Sequence, residues 1–502
     1  MPSSRPNART DVPRGARGPE RGLGRARSAV ALAAAVALFV LAKGHAQDAP
    51  PAAPLVARLR ELVQASGLAD RVGIAVVDTA DGRPVFQFHA DRPLNPASNQ
   101  KLVTAFAALR TLGADFRMRT AVYGRIEGDA VTGGLALRGF GDPTLTHGDL
   151  MALAREVADQ GVRRIDRVIV DATYFDDQVL PPAFEQQPHE VAAFRAPISA
   201  VAVDRNAYVL RVLPGPEVGA PAVVRLAGAA YFDVDNRITT SEPGAPNVIA
   251  DQRDAGPRMA LRLRGTVPIH VRGVSYRRRI ENPLPWVGHV FAEALRAQGI
   301  RVGDRVEVGP TPDGAALLAS RQSPPLASML EAVGKHSDNF VAEMIFKVMG
   351  AERHRPGRAE DGVAAVRAAL QDAGLSLERM QIVNGSGLFE GNRVSAQQLA
   401  DLLRAAYHDP SIRAEYVAHL AIAGVDGTLA RRLRDLPVPR VVRAKTGTLN
   451  AVVALSGYVL GPRPERAYAF SVLANDVQGQ HGPARALADG IARALVEDLH
   501  RR

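Results

Sequence analysis

The sequence predicts a mixed α/β (α+β) protein: an antiparallel sheet flanked by helices, forming one discontinuous domain that an inserted α/β region interrupts. Three observations predict this. Amphipathic helical runs and strand hairpins occur together at both ends of the chain. Between about residues 114 and 279 the texture changes to short strand-like runs separated by Gly and Pro. The 45 Gly and 35 Pro supply more turns than a helical bundle uses. At 502 residues the chain exceeds one ordinary core, so two or more domains are expected.

The elements follow in order. "LVARLRELVQA" (55–65) repeats apolar residues at helical spacing. "VGIAVVDTADGRPVFQFHA" (72–90) alternates around Asp81-Gly82, a hairpin signal. Asn95-Pro96 breaks the chain, and "KLVTAFAALRTLG" (101–113) reads as a helix closed by Gly113. The insertion, 114–279, has strand-like "LALRGF", "RVIVDA" and "AYVLRVL" around one helical run, "LMALAREVADQG", and could hold two subdomains. Helical periodicity returns from 280 in "WVGHVFAEALRAQG", "LASMLEAVGKHSDNFVAEMIFKVMG", "GVAAVRAALQDAG" and "SAQQLADLLRAAY". "LNAVVALSGYVLG" and "RAYAFSVLAN" flank a Gly-Pro-Arg-Pro turn as a hairpin, and "GPARALADGIARALVEDL" closes the chain as a helix. One discontinuous domain of 47–113 and 280–502 is therefore expected, with 114–279 inserted. Insertions are tolerated at exposed sites in a domain.

Charge places the protein outside the nucleic-acid binders. The formal net charge is +10, of which +6 falls in residues 1–46; the remaining +4 forms no basic groove for phosphates. "RRR" at Arg277–Arg279 reads as a solvated strand edge. The leader has a basic stretch ending at Arg27, an uncharged run from Ser28 to Ala42, and "KGHAQ" with small residues Gly44 and Ala46. This is the pattern of a cleaved export signal over 1–46, and the apolar run is shorter than a spanning helix needs. Residues 47–54 follow as a linker. A periplasmic location is expected. With no cysteine, disulfides and thiolate metal sites are excluded, and no HExxH occurs; no cofactor and no metal are expected.

Lysine usage points to the chemistry. Only Lys43, Lys101, Lys335, Lys347 and Lys445 stand against 57 arginines. Arginine serves wherever a cation suffices, because it does not lose its proton; lysine can become a neutral amine when buried. In "ASNQKLVTAF" (97–106), Ser98 and Lys101 lie three apart, on one helix face if Ser98 opens the helix. A serine hydroxyl is a poor nucleophile until a base takes its proton, and Lys101 is placed to do so. Taken alone, Ser98 reads equally as an N-cap and Lys101 as a surface residue. Two more stretches add weight. Ser337-Asp338-Asn339 sets a hydroxyl and an amide two residues apart in a break between helical runs. Lys445-Thr446-Gly447-Thr448 opens a strand with an ammonium, hydroxyls and a glycine that admits close approach of a substrate backbone.

The order S-x-x-K, S-D-N, K-T-G resembles the penicillin-binding proteins and serine β-lactamases. The long gap after the first motif, with "GFGDPTLT" (139–146), "APISAVAVDRN" (196–206), "NGSGL" (384–388), "NRVSAQQLADLL" (392–403) and "AGVDGTLARR" (423–432), is similar to the D-alanyl-D-alanine carboxypeptidase/endopeptidase family S13. Asn384 departs from that family's usual aspartate, and Phe140 from a more usual glycine.

The resemblance implies a β-lactamase/transpeptidase-like fold and a serine peptidase acting on peptidoglycan stem peptides and acylated by β-lactams. It assigns Ser98 as nucleophile, Lys101 as base, Ser337 with Lys445 as proton relay, and Asn339 as a substrate holder. Thr446, Gly447 and Thr448 would form the substrate-binding strand, with the N–H groups of Ser98 and Thr448 as oxyanion donors. Two rivals are a β-lactamase, distinguished by rapid release of a penicillin adduct, and a non-catalytic muropeptide-binding protein, distinguished by binding without release of D-alanine.

Overall fold

The computed structural model describes residues 53–501. The expected export signal, 1–46, and most of the linker that follows it lie outside the described residues.

In chain order the first elements are α1 (Ala53–Ala65), β1 (Val72–Asp78), β2 (Pro84–Phe88) and α2 (Gln100–Leu112). The inserted stretch holds β3 (Arg119–Glu127), β4 (Ala130–Gly139), α3 (His147–Asp159), β5 (Arg164–Asp171), β6 (Ala207–Leu213) and β7 (Val223–Arg225). It continues with β8 (Phe232–Ser241), β9 (Asn247–Asp254), β10 (Met259–Pro268), β11 (Val274–Arg279), α4 (Pro283–Ala297), β12 (Arg301–Val308) and β13 (Ala316–Gln322). Then come α5 (Leu326–Gly334), α6 (Asn339–Ala351), α7 (Ala359–Asp372), α8 (Ala396–His408) and α9 (Arg413–Ala418). The chain closes with β14 (Ala421–Ile422), β15 (Val442–Leu449), β16 (Val452–Leu460), β17 (Ala467–Asn475) and α10 (His481–Leu499). Among these residues no helix is long and apolar enough to cross a membrane.

A six-stranded antiparallel sheet, ordered β14-β15-β16-β17-β1-β2, joins the first strands to the last. The central strands β16 and β17 are buried almost end to end, because helices cover both faces. Side chains alternate between two cores with the two-residue strand period. Ile74, Val76, Leu455 and Val472 face α1 and α10. Ala75, Val77, Ala454 and Ala469 face the core formed by helices α2 and α5–α9.

The insertion has its own core around Trp286, Tyr231 and Val168. A five-stranded sheet runs β12-β5-β4-β3-β13, beside two three-stranded sheets, β8-β10-β9 and β11-β6-β7. The second boundary differs from the expected 280. Helix α4 buries Trp286, Val290 and Phe291 in the insertion's core, and β12 and β13 pair with β5 and β3. The chain therefore rejoins the first core at α5, where Leu326 is fully buried. Helical periodicity shows that α4 has an apolar face but not which core receives it. The basic triplet also differs in part: β11 is an edge strand, yet Arg279 is buried and paired with Glu281 at 2.9 Å.

Candidate active site

The turn before α2 is held from the sheet. Asn95 Oδ1 accepts the Ala97 N–H at 2.9 Å, and Asn475, at the end of β17, brackets Asn95 through 2.8 and 3.0 Å bonds. Ala97 sits at φ +46°, a left-handed conformation for a residue with a side chain, immediately before Ser98. The Asn99 amide, fully buried, lies 2.6 Å from Ser456 Oγ on β16. Ser98 itself lies in a 3-10 turn (Ala97–Asn99) that leads into α2 and stays half-buried.

One turn later Lys101 points the same way, with none of its surface exposed. Its Nζ donates to Ser98 Oγ at 3.1 Å, Asn339 Oδ1 at 2.7 Å and the Ser386 carbonyl at 2.7 Å. Burial lowers its pKa to about 7; Glu343 and Asp338 oppose the shift. Ser337 occupies the break between α5 and α6 at φ +58°, and Asp338 caps α6 by accepting the Val341 N–H at 3.0 Å. Lys445, on β15, is equally buried and donates to Ser337 Oγ at 2.8 Å and the Thr446 carbonyl at 2.7 Å. Burial, then the neighbouring Lys101, hold its pKa well below the usual lysine range. β15 lies close to the Ser98 turn: a Cβ added at Gly447 would stand 2.9 Å from the Pro96 carbonyl oxygen. Two amines, two serine hydroxyls and an amide thus meet in one place, from segments that the chain separates by 238 and 108 residues. An amine half-deprotonated near neutral pH and bonded to a hydroxyl is the arrangement of a base-activated nucleophile.

The D-Ala-D-Ala carboxypeptidase 3 (S13) family model matches residues 55–495. The chain belongs to that family. A D-alanyl-D-alanine carboxypeptidase of Actinomadura sp. (strain R39) is 38% identical over 449 residues, 85% of this chain and 81% of the relative. The D-alanyl-D-alanine carboxypeptidase DacB of Haemophilus influenzae is 24% identical over 414 residues, 81% of this chain and 86% of the relative. The crystal structure of penicillin binding protein 4 from H. influenzae shares the fold, with a TM-score of 0.74 at 24% identity, covering 88% of this chain and 99% of that one.

In this carboxypeptidase a cavity of about 560 Å³ opens above the cluster. Ser98, Ser337, Asn339 and Thr448 line it, while Lys101 and Lys445 lie beneath its floor. Thr446 Oγ1 donates to Thr428 Oγ1 at 2.8 Å, and Gly447 closes β15 against the turn. All eight residues expected from the sequence therefore belong to one neighbourhood.

Sequence reasoning missed three contributors. Phe194, from the insertion, lines the cavity, and its carbonyl accepts from Asn339 Nδ2 at 3.1 Å, which turns Asn339 Oδ1 toward Lys101. A backbone carbonyl leaves no mark in a sequence. The loop 384–388 supplies the Ser386 carbonyl; a Cβ at Gly387, φ +74°, would strike the Ala97 carbonyl at 1.9 Å. Its motif was visible, its contact with Lys101 was not. Glu343 is buried beside that loop. Its signal was available: it follows Asn339 by four residues in a helix whose other members, Lys347 apart, are mostly apolar.

Proposed function

We propose that this S13 carboxypeptidase cleaves the terminal D-alanine from peptidoglycan stem peptides through an acyl-enzyme on Ser98. Ser98 Oγ attacks the carbonyl carbon of the penultimate D-alanine, and its proton passes to the free amine of Lys101. Backbone N–H groups of Ser98 and Thr448 hold the developing oxyanion, each worth ~3–4 kcal/mol. The peptide C–N bond then breaks as Ser337, with Lys445, relays the proton taken up by Lys101 to the departing amine, which leaves Lys101 free again. Lys445 and the Thr446 and Thr448 hydroxyls attract the substrate's terminal carboxylate, and Asn339 holds a substrate amide. Water attacks the ester, frees the shortened peptide and restores the serine.

The observation that carries this is the 3.1 Å bond between Ser98 Oγ and a Lys101 amine whose pKa burial lowers to about 7. The reading extends to acylation of Ser98 by penicillins, D,D-endopeptidase cleavage of cross-links at the same serine, and a periplasmic site of action after removal of residues 1–46. It takes 47–113 with the C-terminal helices and strands as the penicillin-binding domain around the insertion.

Intact-protein mass spectrometry after benzylpenicillin tests it. Wild type gains one adduct and Ser98→Ala gains none, and wild type alone releases D-alanine from a stem pentapeptide. An adduct on the alanine variant would overturn the assignment.

A further inference from the structure

Glu343 takes no part in the steps above, yet it is 2% exposed and fully hydrogen-bonded. It stands in α6 one turn beyond Asn339. Its Oε2 accepts the Gly385 N–H at 3.0 Å, and its Oε1 accepts the Ser386 N–H at 2.7 Å. The carbonyl of the same Ser386 accepts from Lys101 Nζ at 2.7 Å. Thr104 Oγ1, one turn past Lys101 on α2, donates to the Gly385 carbonyl at 2.7 Å. The loop is pressed onto α6 at this point: a Cβ at Gly385 would stand 2.6 Å from Phe346 Cβ. The backbone of one residue, Ser386, therefore links a buried carboxylate to the reactive amine.

We propose that Glu343 is a positioning residue for the acylation step: through the backbone of Ser386 it aims the Lys101 amine at Ser98, and its carboxylate acts on that amine from behind the loop. This rests on Lys101 acting as the base. Burying a carboxylate is costly: burial raises the pKa of Glu343, and the hydrogen bonds from Gly385 and Ser386, with the nearby Lys101, act against that rise and favour the charged form. Its negative charge favours the ammonium form of Lys101, so Glu343 opposes the effect of burial. The other charges facing Lys101 are Asp338, which pairs with Arg205 at 2.9 Å, and Lys445 on β15. Those sharing a second cavity with Glu343 are Lys347 on α6, Glu360 on α7, and Asp176 and Glu185 from the insertion. All of these remain when Glu343 alone is neutralised.

The test is the pH profile of benzylpenicillin acylation in the full-length protein, for wild type, Glu343→Gln and Glu343→Asp. The free amine is the working form, so the wild-type rate falls as pH drops through about 7. Removing the carboxylate charge lowers the Lys101 pKa, and the acid limb of the glutamine variant moves to lower pH by about one unit. Its maximum falls about tenfold as the loop loosens. The aspartate variant keeps the charge but not the reach, so its limb stays in place while its maximum drops about as far. A glutamine variant with an unmoved limb, or an aspartate variant with a wild-type maximum, overturns the proposal. Should the glutamine variant not fold, the aspartate maximum still decides the positioning role. A wild-type profile with no limb near neutrality instead sinks the assignment of Lys101 as base.

Discussion

The two ends of helix α6 treat buried lysines in opposite ways. At its N-terminus Lys101 and Lys445 meet only neutral acceptors in hydrogen bonds: serine hydroxyls, the Asn339 amide oxygen and backbone carbonyls. Toward its C-terminus Lys347 is nearly as buried but pairs directly with the Asp176 carboxylate and donates to the Gln178 carbonyl at 2.7 Å. Lys335, in the loop before α6, likewise pairs with Asp426. Burial lowers the pKa of Lys347 too, but contact with Asp176 works against it. An ammonium in contact with a carboxylate keeps its proton, whereas one held by neutral dipoles can give it up. In a chain that otherwise prefers arginine, the two lysines that have no carboxylate partner among the described residues are the two in the cleft.

The sharpest way to break this comparison is a matched pair of substitutions. Lys101→Arg removes the only form that can accept a proton, and acylation by a fluorescent penicillin should fall about 10³-fold. Lys347→Arg keeps a cation against Asp176, and acylation should stay within about threefold of wild type. Equal losses would mean that both lysines are structural. A second variant probes the paired end. Asp176→Asn strands a buried ammonium, and urea denaturation should show a loss of about 2–3 kcal/mol, with the acid limb of acylation unmoved. The smallest effect concerns the loop that carries Ser386. Asn384 Nδ2 donates to the Pro182 carbonyl at 2.9 Å and the Leu388 carbonyl at 3.3 Å, while its Oδ1 accepts from Gly387 N–H and Asn392 Nδ2, both at 2.9 Å. Asn384→Asp turns the two donated bonds into oxygen–oxygen contacts, and the same assay should register a loss of about 1–2 kcal/mol.

How far the sequence revealed the site differs residue by residue. Ser98 and Lys101 were legible because their relation is local, one helical turn. Ser337, Asn339 and Lys445 were legible as chemistry in the right order, through a family resemblance rather than through any distance. Glu343 carried a weak signal, a charge at helical spacing in apolar company, but nothing marked the loop it would face. Phe194 contributes a carbonyl, and Pro182 another; neither depends on side-chain identity. The same division holds for the fold. Hairpin β1–β2, helix α2 with its cap at Gly113, and the β16–β17 pair follow from turns and periodicity. The end of the insertion did not, because β12 and β13 are half-exposed strands whose partners, β5 and β3, lie far back in the chain.

By itself the sequence determined which groups are available and their local geometry: a hydroxyl and an amine one turn apart, a capped hydroxyl–amide pair, an amine opening a strand. Those depend on backbone hydrogen bonds that span a few residues. Only the tertiary structure decided that the amines lose their water and lie next to each other's partners. Desolvation is the sum of what every surrounding segment excludes, and the segments that enclose Lys101 come from α2, α6, the 384–388 loop and β15. No stretch of the chain contains that sum.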